Sequence, residues 1–285
     1  LAAVLYVVGT PIGNLDDITV RAADTLRRAD RIVAEDTRRS RTLLTHLGVE
    51  KKPLTSLEAH ASEAEIARVV AWLTEGQSVA LVTDAGMPSV SDPGAALVRA
   101  AVLADVRVVP IPGPSAVTAA IAASGFADGG FRFFGFLPRG GSARADVLGV
   151  LLSTPETVVF FEAPTRVRAT LDELAALCPE RPLLLAREMT KLHEELLRGT
   201  VASLAALERD REWLGEVTMV LGADATAGAG TKVDDAAVDA RIREELSRGE
   251  TGKTVAQRVA AWSGRSRREI YDRVLAEKER GERNT

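Results

Sequence analysis

Apolar positions along this chain follow two alternating periods. Runs rich in Val, Ile and Leu at Leu5 to Val8, Arg31 to Ala34, Ser78 to Val82 and Val106 to Ile111 have the length of strands covered on both faces. Between them lie stretches such as Glu63 to Glu75, with the period of a helix that buries one face. This alternation predicts a mostly parallel sheet with crossover helices from Leu5 to Pro112. It continues from Pro114 to about Ala223, with strands expected at Phe131 to Phe136, Thr157 to Phe161, Pro182 to Arg187 and Val217 to Leu221. The stretch Ala223 to Thr231, ADATAGAGT, has no apolar period and reads as a linker. Beyond it, Asp234 to Glu279 reads as wholly helical. The fold class is α/β with a small all-α end.

Four loops that follow expected strands are rich in small residues. They are Tyr6 to Asn14 (YVVGTPIGN), Leu81 to Gly94 (LVTDAGMPSVSDPG), Val108 to Ala120 (VVPIPGPSAVTAA) and Phe160 to Val167 (FFEAPTRV). Open α/β sheets hold ligands at the carboxyl ends of their strands, so four such loops predict one pocket. A dinucleotide site would need G-x-G-x-x-G after the first strand, whereas Gly9, Thr10, Pro11, Ile12, Gly13 and Asn14 stand there. Pro11 removes an amide donor where a pyrophosphate would want one. Loops of Ala, Pro and Ser suit a compact adenosine-like ligand with a charged amino-acid end. Asp84 could hold its ammonium or a ribose hydroxyl, with Ser115 and backbone groups taking the rest.

Composition narrows the function classes. With 285 residues, 27% charged and a net charge of −4, the chain has the balance of a globular protein of two or more domains. No apolar run approaches the roughly 20 residues of a membrane helix. The opening LAAVLYVVGT lacks a basic leader and reads as a first strand, not a signal peptide; Leu1 in place of Met points to a leader ahead of the numbered chain. Cys178 is the one cysteine, which excludes an internal disulfide and fits a reducing cytosol. His46, His60 and His193 show no metal-ligand spacing, and no metal site is expected. The stretch GETGKT, Gly249 to Thr254, is not a P-loop: that motif needs Gly at the position of Ser247, and Thr251 or Thr254 reads as a helix cap.

The helical end carries a second signal. Ala260, Gly264 and Ile270 are spaced as in a helix-turn-helix, and Lys253, Arg258, Arg265, Arg267, Arg268 and Arg273 outnumber Glu269 and Asp272. A basic end on an acidic chain can make phosphate contacts, or it can be a solvated cap or dimer contact.

The blocks VVGTPIGNLDDIT, AEDTRRSRTLL, LVTDAGMPSVSDPG, PIPGPSAVTAAIAASG, FFGFLPR, FFEAPTRV and LAREMTKLHEE, in order from Leu5 to about Gly222, resemble the tetrapyrrole methylase superfamily. Within it, they resemble the branch that methylates small-subunit ribosomal RNA. The resemblance implies two α/β domains, 1–113 and 114–224, with an S-adenosylmethionine cleft between them, and a helix-turn-helix-like unit over 234–285. It also implies a homodimer with no membrane attachment, acting in the cytoplasm on 16S ribosomal RNA or the small ribosomal subunit, at the ribose 2′-oxygen of a decoding-centre cytidine. Carried over by position, the resemblance puts the cofactor against Pro11, Asp84, Ala85, Gly86, Met87, Ser115, Ala116, Glu162 and Ala163. Asp84 matches the acidic position of a Gly-Asp-Pro loop, but here Asp84-Ala85-Gly86-Met87-Pro88 replaces that loop, so contacts beyond Asp84 are less directly carried over.

Transfer of a methyl group to a hydroxyl needs in-line alignment and an acceptor for the proton, and no metal. The charged clusters near expected strand ends supply the candidates: Arg38 and Lys191 to hold phosphate or polarise the hydroxyl, and Glu35 or Asp36 to take the proton. The same residues also fit a surface ion-pair network, and an isolated His193 reads as structural. Aromatics make up 4% of the chain, which argues against extensive base stacking. Phe131, Phe133, Phe134 and Phe136 are expected to pack the second sheet. Arg139 and Arg144 of the glycine loop, with Arg265, Arg267 and Arg268 of the tail, are the expected RNA contacts. Two other classes stay open: a small-molecule methyltransferase acting on a tetrapyrrole, and a non-enzymatic DNA-binding regulator. The first leaves the basic tail and EDTRR block without a use; the second leaves the four loops unexplained.

Overall fold

The computed structural model describes residues 3–49, 51–58, 61–90, 92, 94–127, 129–207, 211–223, 235–248, 250–263, 265 and 267–283, with the side chains of 261, 262, 267 and 278–283 outside that description. His60, Asp234, Gly264, the side chain of Arg267 and nearly all of the expected linker therefore lie outside the described residues. Leu1–Asp224 form one compact unit and Ala225–Thr285 another.

The first unit is built on two five-stranded sheets. In the first sheet, strands β1 (Val4–Val8), β2 (Arg31–Ala34), β3 (Leu54–Ser56), β4 (Ser78–Val82) and β5 (Arg107–Ile111) lie in the order β3-β2-β4-β1-β5, and every pairing is parallel. Parallel pairing needs a crossover, supplied by helices α1 (Val20–Arg28), α2 (Thr37–His46), α3 (Glu63–Thr74) and α4 (Gly94–Leu103). Strand β4 shows why the apolar runs are unbroken: Ala80 and Val82 pack toward α1 and α2, while Val79 and Leu81 pack toward α3 and α4. The helices start at side-chain caps. Thr19 Oγ1 accepts from Ala22 N–H at 3.1 Å, Asp36 Oδ1 from Arg38 N–H at 2.8 Å, and Ser62 forms a reciprocal capping box with Glu65.

The second sheet departs from the expected alternation. Its strands are β6 (Phe131–Phe136), β7 (Thr157–Glu162), β8 (Pro182–Arg187), β9 (Glu195–Thr200) and β10 (Val217–Leu221), in the order β6-β7-β10-β8-β9. Only β6 and β7 are parallel; β10 runs antiparallel between β7 and β8, and β9 antiparallel to β8. Helix α5 (Ala116–Ser124) covers one face through Val117 and Ala120 against Val159, Leu184, Ala186 and Val220. Helices α6 (Gly141–Ser153), α7 (Val167–Leu177) and α8 (Val201–Leu207) cover the other, around Phe160, Leu171 and Met219. The aromatic edge strand is less buried than expected: Phe131 and Phe136 are exposed. The sequence pattern missed β3 and β9, the first because three residues, none of them buried, carry no period, the second because ELLRGT mixes polar and apolar residues at a sheet edge.

Loops of the first sheet meet through backbone. A Cβ on Gly113 would lie 2.8 Å from the Gly9 backbone, and one on Gly9 would lie 2.7 Å from Gly113 Cα and Met87 Sδ. Thr10 and Gly86 exchange backbone hydrogen bonds at 2.9 and 3.1 Å, and Thr10 Oγ1 donates to Thr83 O at 3.1 Å. The loops after β4, β1 and β5, on three neighbouring strands, are thereby fastened into one rim.

The second unit consists of helices α9 (Asp235–Ser247), α10 (Gly252–Ser263) and α11 (Arg267–Arg283). They close on Val238, Ile242, Val255, Val259, Ile270 and Val274. Thr251 caps α10, its Oγ1 accepting from Thr254 N–H at 3.3 Å. The substitution Gly113→Ala is expected to cost about 1–3 kcal/mol, measured by urea unfolding, because the added methyl group must push Gly9 away. An unchanged midpoint would show that the loops part without cost.

Candidate active site

Between the rim of the first sheet and the inner edge of the second lies a cavity of about 410 Å³, within the range of small-molecule sites. Loop β4–α4 contributes Thr83 to Met87, Val90 and Asp92; the start of α5 contributes Ser115 to Val117; the end of β7 contributes Phe161 to Pro164; and the approach to β10 contributes Gly215 to Thr218. Ile12, Glu35, Arg39 and Phe136 complete the lining. A second cavity of about 170 Å³ shares Ile12, Arg39, Thr83, Asp84, Ala85 and Glu216 with the first, and adds Thr10, Pro11, Gly13, Leu15, Ser40, Leu43 and Lys191.

Eight of the nine residues expected at a cofactor, Asp84 to Met87, Ser115, Ala116, Glu162 and Ala163, line the larger cavity; Pro11 lines the smaller one. The expected catalytic groups divide. Glu35 lines the larger cavity and Lys191 the smaller, whereas Arg38 faces outward beside Thr37, Arg41, Thr42 and Thr45. Arg39, Ser40 and Asp92 lie within the motif blocks but without an expected role of their own, and Gly215 to Thr218 lies in no motif and was missed.

Asp84 stands at the junction of both cavities. Its Oδ1 accepts from Asp36 N–H at 3.1 Å and its Oδ2 pairs with Arg39 Nη1 at 3.4 Å. Burial, and then the neighbouring Glu35 charge, raise its pKa above the ordinary carboxylate range. Glu35 Oε2 accepts from Thr83 Oγ1 at 2.7 Å and Asp84 N–H at 3.4 Å. Asp36, by contrast, holds the Arg38 side chain and N–H, which bring its pKa down to about 2, so it is a poor proton acceptor. Lys191 Nζ donates to Glu188 Oε1 at 2.8 Å and Glu216 Oε2 at 3.2 Å. Burial works against its charge, but these carboxylates outweigh burial and raise its pKa; Lys191 is a fixed cation. It is held there by backbone: Glu188 and Thr190 both sit at positive φ, 50° and 67°, and Thr190 Oγ1 accepts from Asn14 N–H at 3.0 Å.

Below the larger cavity, the Glu162 side chain is fully buried. Its carboxylate takes Arg166 Nη2 at 2.6 Å, Thr170 Oγ1 at 2.7 Å and Arg144 Nη1 at 3.4 Å, and Oε1 accepts from Ala163 N–H at 2.8 Å. Arg144 also donates to Glu173 and Pro138 O. Arg144 is therefore not an exposed RNA contact, because its guanidinium braces the cavity floor; Arg139 beside it is exposed. The tail arginines need a similar correction. Arg265 donates to Asp235 at 2.6 Å and Glu269 at 2.9 Å, and Arg273 and Arg258 are bound by Asp235, Asp239, Glu245 and Glu250. Much of the tail's basic excess is thus neutralised inside that unit, while Arg268 remains exposed.

Chemically, the larger cavity pairs apolar walls (Ile12, Met87, Val117, Phe136, Phe161) with Glu35, Asp84, Asp92 and Glu216, against Arg39. Asp92 Oδ2 is buried with no hydrogen-bond partner among the described residues, an acceptor left for a ligand donor. Ser115 begins α5 without a side-chain cap, leaving first-turn N–H groups for an acceptor. The lining fits a flat apolar group attached to a cation.

The family model for Tetrapyrrole (Corrin/Porphyrin) Methylases matches residues 4–205. The chain belongs to the tetrapyrrole methylase family. Among curated proteins, it is 46% identical over 76% of its length, and 97% of the relative's, to a protein of Thermotoga maritima named ribosomal RNA small subunit methyltransferase I. It is 42% identical to the protein of that name from Micromonospora olivasterospora, over 97% of this chain and 88% of the other. Among solved structures it resembles diphthine synthase (TM-score 0.59, 18% identity, 79% of this chain and 93% of that one). It also resembles a cobalt precorrin-4 methyltransferase (TM-score 0.58, 20% identity, 77% and 95%). Both likenesses show the methylase fold.

Two outcomes are expected from these carboxylates. Glu162→Gln leaves Arg144 and Arg166 short of a buried counter-charge and should cost about 3–5 kcal/mol in urea unfolding; a change near zero would show that the floor repacks. Asp84→Asn should unfold at the same or a higher temperature than the parent at pH 7. Burial disfavours the ionised group in the folded state, so the folded protein binds its proton more tightly than the unfolded chain does. The parent's penalty is full above the raised pKa and disappears as pH falls through it toward the ordinary value, so the gap between variant and parent should narrow in acid. A lower midpoint at pH 7 would show that the Arg39 pair outweighs burial.

Proposed function

We propose that this chain transfers a methyl group from S-adenosylmethionine to the ribose 2′-oxygen of a cytidine in small-subunit ribosomal RNA. The observation that carries this reading is the carboxylate-rich larger cavity opening onto a smaller one lined by Arg39 and Lys191: a place for a cationic donor beside a place for an anionic acceptor. The names of the relatives, matched along most of the chain, support RNA as the acceptor. S-adenosylmethionine, when bound, supplies a methyl group activated by a positively charged sulfur.

The chain's own residues do the rest. Asp92 and the first turn of α5 suit the two ends of an amino acid, and the walls formed by Met87, Phe136 and Phe161 exclude water. The carboxylates supply negative potential around a cation. Asp84, at the junction, accepts the proton of the attacking hydroxyl; its raised proton affinity suits that task better than the depressed Asp36. Lys191 and Arg39 hold the acceptor's negative charge. The same reading includes a homodimer, with the lone Cys178 consistent with a reducing cytosol.

Incubation with radiolabelled S-adenosylmethionine and under-methylated small ribosomal subunits, followed by mapping of the labelled nucleotide, tests this directly. Label is expected on one ribose, and Asp84→Asn should lower the rate at saturating cofactor by roughly a hundredfold or more. Label on a base atom, or none on RNA, would sink the reading.

A further inference from the structure

Helix α2 has two faces with different chemistry. Its inner side gives Arg39, Ser40 and Leu43 to the smaller cavity. Its outer side gives Thr37, Arg38, Arg41, Thr42 and Thr45 to an open groove of about 640 Å³. Arg38 is 90% exposed even while paired with Asp36, and Arg41 is exposed. The groove has hydroxyls and guanidinium groups, with no acidic or aromatic side chain in its lining. This suits phosphate oxygens, and it offers a protein partner no apolar anchor. The charge setting agrees: from Arg21 to Lys52 stand nine Lys and Arg against five Asp and Glu, in a chain whose net charge is −4. On the inner side, Ser40 is 6% exposed and its Oγ has no hydrogen-bond partner among the described residues. A mid-helix serine ordinarily bonds back to its own helix; this one is left for a group entering the cavity, with a χ1 rotation to reach it.

We propose that α2 is the guide for the acceptor strand, its outer face binding the phosphates of a single-stranded RNA segment through Arg38 and Arg41, and its inner face seating the reacting nucleotide's sugar in the smaller cavity against Ser40. The inference rests on the RNA methyltransferase reading. It assigns a role to Arg41 and Ser40, and makes Arg38 a strand-guiding residue outside the reacting centre. Because the contacts are to backbone, binding through the groove is insensitive to base sequence; selection of the nucleotide is left to the cavity.

Fluorescence anisotropy with a fluorescein-labelled single-stranded RNA of the decoding region, read across a salt series, tests the guide in the full chain. Calorimetric binding of S-adenosylhomocysteine serves as the second readout. Arg38→Ala combined with Arg41→Ala should weaken RNA binding roughly tenfold near ~0.15 M salt and flatten the log–log salt slope by about 1.4, with cofactor affinity unchanged. Ser40→Ala should keep the parent slope while weakening RNA binding roughly threefold to tenfold. Arg107→Ala, on an exposed position of β5, should match the parent. RNA affinity and slope that survive the double substitution overturn the guide while leaving the methyltransferase reading intact. Equal losses from Arg107→Ala also overturn it, since general charge would then explain binding. A parent chain that binds S-adenosylhomocysteine but no RNA overturns both.

Discussion

The contact between Gly9 and Gly113 is the constraint on which the cavity rests. Two backbones meet there with no room for a Cβ, and the Thr10–Gly86 bridge fastens the third loop beside them. Three turns at the ends of adjacent parallel strands would otherwise be separate, mobile connections. Joined through main chain, they form a rim rigid enough to hold Asp84, Met87 and Ser115 at fixed separations. The same economy of side-chain volume recurs at Gly13, where any Cβ would collide with the Lys191 stem. The cation over the smaller cavity is thus placed by an absence of atoms on the opposite loop.

The legible part of this molecule is the part where one physical signal dominates. Strands covered on both faces must be apolar nearly throughout, so β2, β4, β8 and β10 could be read from their apolar runs. Loops that bring backbone to a ligand must be small, which marked four of the segments lining the larger cavity. The fifth, Gly215 to Thr218, carries no such mark: it reaches the cavity because β10 inserts antiparallel between β7 and β8, and strand order is not encoded in apolar runs. Arg144 misled for a related reason. An arginine after two glycines reads as exposed, while the partners that bury it, Glu162, Thr170 and Glu173, lie far along the chain.

Charge shows the same division between local count and spatial outcome. The tail segment from Lys253 to Arg273 is basic in sequence, but Asp235, Asp239, Glu245 and Glu250, just outside it, fold back onto its arginines. The α1–α2 region, by contrast, retains exposed guanidinium groups at Arg38 and Arg41. Surface ion pairs stabilise little; what they change is which cations remain available to another molecule.

The position of β10 has a consequence for how the protein is made. All five strands of the first sheet are present once the chain has reached Ile111, and that sheet can form while the remainder is still being synthesised. The second sheet cannot: its central strand is its last, and until Val217–Leu221 arrives, β7 and β8 have no common neighbour. Because the approach to that strand is also a wall of the larger cavity, the protein acquires its binding site in the same step that seals its second core. The half of the cavity carried by the first sheet's rim is thus made well before the half carried by the second sheet.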